Sequence, residues 1–389
     1  MPRKILHLDL DAFFCAVEEL RDASLRGKPF AVGGRPETRG VVSSCSYAAR
    51  RFGVRSAMPM ARALRICPGL IVVAPRHHVY GEVSEQVMER LAQITPFIEQ
   101  VSIDEAFLDV SDLPEPGKIL ARRLQDQIRK ELDLPCSLGV ATNKLVAKIA
   151  TDVGKKAARG DGPPCAITVV PPGEEAAFLD LLPADMLWGV GPKTAAKLAE
   201  LGIHTIGDIA RWPEDDLTRR FGENGRELSR HARGFDDRPV VTEHAVKSIS
   251  QEVTFARDVR DDKALENTLR DLSAQVGRRL RRADLAGATV KIKIRWPDFT
   301  TLTRQVTLSQ PTDQDEEIAV TALDLLAKVR SKGKAVRLIG VGVSGLCEPV
   351  RQLELWGEDA EKARRLQATL DALHERFGDK AIQRGRPHK

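Results

Sequence analysis

Residues 246–346 carry the pattern that most narrows what this chain can fold into. An extended stretch (247–255) precedes a helical one in which Leu265, Leu269, Leu272, Val276 and Leu280 share a face. Two extended stretches (288–296 and 300–308), a helical stretch (315–329) and a last extended stretch (335–343) follow. That strand-helix-strand-strand-helix-strand order is ferredoxin-like. Along the third element Val290, Ile292, Ile294 and Trp296 alternate with Lys291, Lys293 and Arg295. Alternation of period two gives one face to a core and leaves a line of cations on the other. Arg278, Arg279, Arg281 and Arg282 cluster at the end of the preceding helix. Phosphate contacts from such cations give salt-sensitive affinity without sequence choice. The alternative is a solvated basic face.

The first 168 residues read as mixed α/β, with short apolar strands near 4–10, 41–44, 70–73 and 107–110 and helical spacing over 79–94 and 119–132. Prolines at 163–164 and 171–172 bracket a last short strand, and a helical stretch without strands runs to about 233. A polar connection follows. The length, 389 residues, suits two or three domains at roughly 150 residues each. The six cysteines fall at irregular intervals with no C-x-x-C pair, which argues against a zinc or disulfide framework. A formal charge of +5 is a mild sign of a nucleic-acid partner. No apolar run approaches the ~18 residues that span a bilayer. The first residues lack the pattern of a signal peptide. The expectation is a cytoplasmic protein with no membrane partner.

Several constellations carry chemistry. In Asp9-Leu10-Asp11 alternation sends both carboxylates to one strand face, where they suit Mg²⁺. Alone, this pattern fits sugar-nucleotide transferases or a pair of solvated or capping acids equally well. Asp104-Glu105 lies between two apolar stretches, 97–101 and 106–110, that can pair as a hairpin. With Asp9 on a neighbouring strand, three carboxylates would converge as they do in two-metal sites. A polar turn is the alternative. Tyr47 and Arg50, three apart at a helix start, present a hydroxyl and a guanidinium suited to a triphosphate. Lys144, Lys148 and Lys155 share a helix face, which also reads as a solvated one. The Gly189-Val190-Gly191 turn before Lys193 opens a helix and presents backbone N–H groups to a phosphate.

In order and spacing, L-D-L-D-A-F-F-C-A-V-E (8–18), S-S-C-S-Y-A-A-R (43–50), S-I-D-E-A-F-L-D-V (102–110) and N-K-L-V-A-K-I-A-T-D-V-G-K (143–155) resemble the Y-family translesion DNA polymerases. The resemblance runs from residue 4 to about 357. It implies a right-hand polymerase: an α/β palm and fingers over 1–168 (fingers about 20–75), an all-α helix-hairpin-helix thumb over 169–236, a linker (237–245), a ferredoxin-like little finger (246–346) and a C-terminal tail (347–389). It implies template-directed addition of deoxynucleotides to a primer 3′-hydroxyl, low fidelity, no proofreading exonuclease and a monomer.

By the same resemblance, Asp9, Asp104, Glu105 and the Leu10 carbonyl hold two Mg²⁺ ions, with Glu105 the catalytic carboxylate and Asp11 structural. Phe14 is the steric gate under the sugar, while alternation assigns Phe13 to the core. Ser44, Tyr47, Arg50 and Lys155 contact the incoming nucleotide, and the small Ser43 and Ala57 leave the pocket roof thin. Gly189, Gly191 and Lys193 grip DNA in the thumb; Arg278, Arg279, Lys291, Lys293 and Arg295 do so in the little finger. Gln352, Leu353, Leu355 and Trp356 resemble the peptide by which bacterial polymerases dock on the sliding clamp; an extra edge strand is the alternative. Two rivals remain. One is a non-catalytic clamp-tethered scaffold, whose mark is loss of the acidic triad. The other is a glycosyltransferase, which leaves the basic strand unexplained.

Overall fold

A computed structural model describes residues 2–330, 333–349 and 358–378. The chain divides into two compact units, Met1–His244 and Ala245–Lys389, and the division falls inside the polar connection. Among the described residues no helix is long and apolar enough to cross a membrane.

In the first unit β1 (Ile5–Leu10) leads into α1 (Phe13–Arg21). Next come β2 (Phe30–Gly33), β3 (Val42–Cys45), the short helices α2 (Tyr47–Arg51) and α3 (Met60–Ile66), and β4 (Ile71–Val73). The chain continues through α4 (His77–Ala92), β5 (Ile98–Gln100), β6 (Glu105–Asp109), α5 (Gly117–Leu132), β7 (Cys136–Ala141), α6 (Lys144–Ala157) and β8 (Ile167–Val169). Five strands form one sheet in the order β5-β6-β1-β7-β8, with β1 antiparallel to both neighbours. β2, β3 and β4 form a separate small sheet with its own core around Val42, Ala49, Val54 and Met60.

Both faces of β1 are covered, and the period of the strand decides what each face meets. Leu6, Leu8 and Leu10 enter a core with Tyr80, Val87 and Leu91 of α4 and Leu120, Leu124 and Ile128 of α5. Ile5 enters the other core, with Leu145, Val146 and Ile149 of α6. His7 and Asp9, at the same parity as Ile5, therefore face α6. Gly139 in β7 permits the close approach of that helix: a Cβ there would run into the Ala147 carbonyl.

The remaining helices of this unit are α7 (Glu175–Asp180), α8 (Pro192–Glu200), α9 (Ile206–Arg211), α10 (Glu214–Phe221) and α11 (Glu223–Ala232). Leu179, Leu198, Ile206, Ile209, Leu217 and Leu228 join the α6 core, so this helical region and the sheet share one interior.

The second unit contains β9 (Ser248–Val259), α12 (Asp262–Arg282), β10 (Ala286–Arg295), β11 (Thr301–Thr312), α13 (Asp315–Val329), β12 (Val336–Cys347) and α14 (Glu358–Phe377). Its sheet runs β11-β10-β12-β9, antiparallel throughout. β12 lies between β9 and β10, and β10 between β11 and β12, so both β-α-β units are split. Val290, Ile292, Ile294 and Trp296 pack with the leucines of α12 and with Ile318, Ala322 and Leu326 of α13. Asp371 of α14 takes a two-pronged hydrogen bond from Arg281, at 2.6 and 3.1 Å.

Candidate active site

The centre of the site is a register pair. Asp9 on β1 stands directly opposite Glu105 on β6, so their side chains share the α6 face. The next residue ties in the turn: the Leu10 N–H donates to the Asp104 carbonyl at 3.0 Å. The Asp104 carboxylate accepts from the Ser102 hydroxyl at 2.6 Å. α6 answers with cations. Lys155 Nζ lies 2.5 Å from Asp9 Oδ1 and 3.3 Å from Asp11 Oδ1. Lys148 Nζ lies 2.8 Å from Glu105 Oε2. Lys144 is buried and pairs with buried Glu99 at 2.7 Å. The lysine face of α6 is thus a row of counter-charges to the sheet, and the solvated reading of it is corrected.

The charges do not balance evenly. Burial pushes the Asp9 carboxyl up, to about 7, against the pull of Lys155, and Glu105 and Asp104 add to the rise. Glu105 is held low, at about 2, by the facing His7 imidazole first and by Lys148 against the effect of burial. His7 is fully buried; its Nδ1 meets Thr151 Oγ1 at 2.9 Å. Its Nε2 stands 3.9 Å from Glu105 Oε2, too far for a hydrogen bond, and has no partner among the described residues.

The sequence leads to the expectation that the carboxylates close on a shared point. Among the described residues no group of three His, Cys, Asp or Glu side chains does so. Lys155, Lys148 and Ser102 each draw one carboxylate aside. The donor set still fits a divalent cation: hard carboxylate oxygens crowd a partly buried strand end, where burial raises the Asp9 carboxyl in spite of Lys155.

Asp11 lies past the end of β1 and is 1% exposed. Its oxygens accept from Ser137 Oγ at 3.0 and 2.9 Å and from the Cys165 N–H at 3.0 Å. The strand ends there because Ala12 adopts a left-handed conformation (φ 50°), and Phe13 and Phe14 begin a helix rather than continue the strand. Phe13 is buried through its position on the helix, and Phe14 is partly exposed.

The small sheet supplies the donors. Ser46 caps α2, accepting from the Ala49 N–H at 3.2 Å. Tyr47 and Arg50 share the helix face, with the guanidinium 4.5 Å above the tyrosine ring. The Tyr47 hydroxyl is buried with no partner among the described residues. Burial first, then the nearby Asp11, push its phenol above the usual value. Ser44 is buried against the Cys15 thiol, while Ser43 is exposed and Ala57 holds a left-handed turn (φ 65°).

Farther out, Gly189 takes φ 100°, which only glycine adopts freely, and Gly191 precedes Pro192 at the start of α8. Lys193 is exposed there. In the second unit Lys291 is exposed, Lys293 pairs with Glu252 at 2.7 Å, and Arg295 Nε donates to Thr301 Oγ1 at 2.9 Å. Arg278 and Arg279 sit on α12, which covers the opposite face, and Arg279 donates to the Ser250 carbonyl at 2.8 Å. The two sets of cations therefore do not share a face. Gln352, Leu353, Leu355 and Trp356 lie outside the described residues. Sequence reasoning missed His7, Glu99, Glu18 and Tyr80. Only His7 left a signal, two residues before Asp9 on the same strand face.

Comparison with known proteins agrees across the chain. Residues 8–152 match the impB/mucB/samB family, 246–355 its C-terminal domain, and 185–236 the thumb domain of DNA polymerase-iota. A protein named DNA polymerase IV from Dehalococcoides mccartyi is 41% identical over 100% of this chain and 98% of its own. One of that name from Desulfatibacillum aliphaticivorans is 42% identical over 97% of this chain and 95% of its own. Among solved structures, a Y-family polymerase chimera of Dbh and Dpo4 superposes with TM-score 0.78 at 28% identity, covering 88% of this chain and 98% of that one. An insertion ternary complex of Dbh DNA polymerase superposes with TM-score 0.61 at 29% identity, with the same coverage.

Proposed function

Since the chain belongs to the Y family of DNA polymerases, the impB/mucB/samB family, we propose that Asp9, Asp104, Glu105 and the Leu10 carbonyl hold two Mg²⁺ ions for nucleotidyl transfer. The protein is a DNA-directed DNA polymerase of translesion synthesis that uses divalent metal, and its substrates are primed DNA and deoxynucleoside triphosphates. The primer 3′-hydroxyl attacks the α-phosphate and pyrophosphate leaves. Bound ions of this kind lower the pKa of the attacking hydroxyl and offset charge on the transferring phosphoryl group. The observation that carries the reading is the register pair Asp9–Glu105, joined to Asp104 through Leu10.

The other side chains then have defined work. Tyr47 and Arg50 donate to the triphosphate, which gives the buried Tyr47 hydroxyl the acceptor it lacks. Lys155 reaches the phosphates from the carboxylates it now pairs, and Lys148 keeps Glu105 ionised. Phe14 closes the space under the sugar. Ser43 and Ala57 roof the pocket thinly, so a distorted template base is tolerated at a cost in fidelity. The Gly189–Gly191 turn with Lys193 holds the DNA backbone, as do Lys291, Lys293 and Arg295 on the open sheet face and Arg278 and Arg279 on the helix that covers the other face. Gln352, Leu353, Leu355 and Trp356 dock a monomeric enzyme on the sliding clamp. The test supplies one deoxynucleotide at a time to a primed template with Mg²⁺. Addition that follows the template base supports the reading; addition indifferent to the template contradicts it.

A further inference from the structure

We propose that Tyr80, held by Glu18 and Arg76, is the backstop that sets how strictly Phe14 excludes ribonucleotides. The proposal rests on the reading of Phe14 as the gate and names the residues that make the gate stiff. They are positioning residues, because they act through Phe14 and do not touch the nucleotide.

The geometry is a stack with an anchor. The Phe14 and Tyr80 rings lie nearly parallel, centroids 4.3 Å apart and planes 14° apart. Phe13 meets the Tyr80 ring edge-on at 6.5 Å, and His77 meets Phe14 edge-on at 6.0 Å. The Tyr80 hydroxyl donates to Glu18 Oε1 at 2.6 Å, and the other Glu18 oxygen is ion-paired with Arg76. Tyr80 is fully buried and Glu18 is 1% exposed, whereas Phe14 keeps an open side.

Helix periodicity explains why these groups meet. Phe14 and Glu18 are four apart on α1 and so lie on one face, a turn from each other. Tyr80, from α4, lies along that face with its ring on Phe14 and its hydroxyl on Glu18. Two contacts one turn apart fix both the place and the tilt of the ring. A buried carboxylate is costly unless paired, and here its two oxygens are used by one hydroxyl and one guanidinium. Burial first, and the Glu18 carboxylate second, push the Tyr80 phenol up to about 12, so it remains a donor at neutral pH. A phenylalanine at residue 80 would fill the same apolar space. What the hydroxyl adds is resistance to sliding. Excluding a 2′-hydroxyl depends on about an ångström of space, so a gate is as selective as its support is rigid.

The test measures kcat/KM for dCTP and for CTP opposite a template guanine, with Tm, in wild type, Phe14→Ala, Tyr80→Phe and Glu18→Gln. Phe14→Ala should abolish most of the preference for dCTP. Tyr80→Phe, which keeps the ring, should lower the preference about fivefold to tenfold through faster CTP incorporation, with dCTP within about threefold of wild type. Glu18→Gln should move the ratio the same way. If Phe14→Ala admits CTP but Tyr80→Phe and Glu18→Gln keep the wild-type ratio, the network only stabilises the core and the proposal is wrong, whatever the change in Tm. If Phe14→Ala itself leaves the ratio intact, the gate reading fails and the proposal falls with it.

Discussion

Asp9 and Asp11 stand two residues apart and have different work. Asp9 faces Glu105 and Lys155, whereas Asp11 is enclosed and joins the ends of β1, β7 and β8 through Ser137 and the Cys165 N–H. Replacing Asp11 by alanine strands those donors and removes a partner of Lys155. We expect a loss of roughly 2–4 kcal/mol in urea unfolding. A change under about 0.5 kcal/mol, as is usual for surface positions, would show that the network is not structural. At this scale the carboxylates were legible, because acids set between apolar stretches need a compensating cation. His7 was not. A histidine inside an apolar strand reads as core, and its partner Thr151 lies 144 positions away. Glu18 and Tyr80 were hidden for the same reason, being 62 positions apart.

The elements show what periodicity can and cannot deliver. The helices α5, α12 and α13 and the alternating strand β10 followed from their spacing, since each has one clear apolar face. The start of α1 did not, because a left-handed Ala12 is no part of a hydrophobic pattern. Nor did spacing say that the lysine face of α6 looks inward, which depends on the sheet it packs against. The helix α9 adds a local test. Thr205 and Asp208 form a capping box, and the Asp208 carboxylate accepts from the Thr205 N–H at 2.9 Å and the His204 N–H at 3.0 Å. These N–H groups, with Arg211, hold the Asp208 carboxyl below the usual carboxylate range. A lowered folded pKa stabilises fully above the unfolded value near 4, and the benefit disappears as pH falls through the folded value. Asp208→Asn should therefore lower Tm at pH 7, with the gap to wild type closing on acidification below about pH 4. A gap that is constant with pH would refute the assignment.

At the scale of the whole molecule, the chain divides into two units within a polar connection whose composition marked it in the sequence. Element order was readable in the second unit, where the elements carry their own periods; in the first unit β2 and β7 are buried throughout and show no alternation that would mark them. The pairing of β1 with β6 and β7 was readable only in part: long-range register follows from packing among residues about a hundred positions apart, which no local pattern encodes. That register creates the site by setting Asp9 against Glu105 and Leu10 against Asp104, and it underlies the assignment of the chemistry to these carboxylates. The most direct measurement is primer extension with Mg²⁺ and the four deoxynucleotides, comparing wild type with Asp104→Ala, and DNA binding measured beside it. The account predicts extension by wild type, none by Asp104→Ala, and equal DNA affinity for both. Extension by Asp104→Ala at the wild-type rate would contradict it and move the chemistry away from these carboxylates.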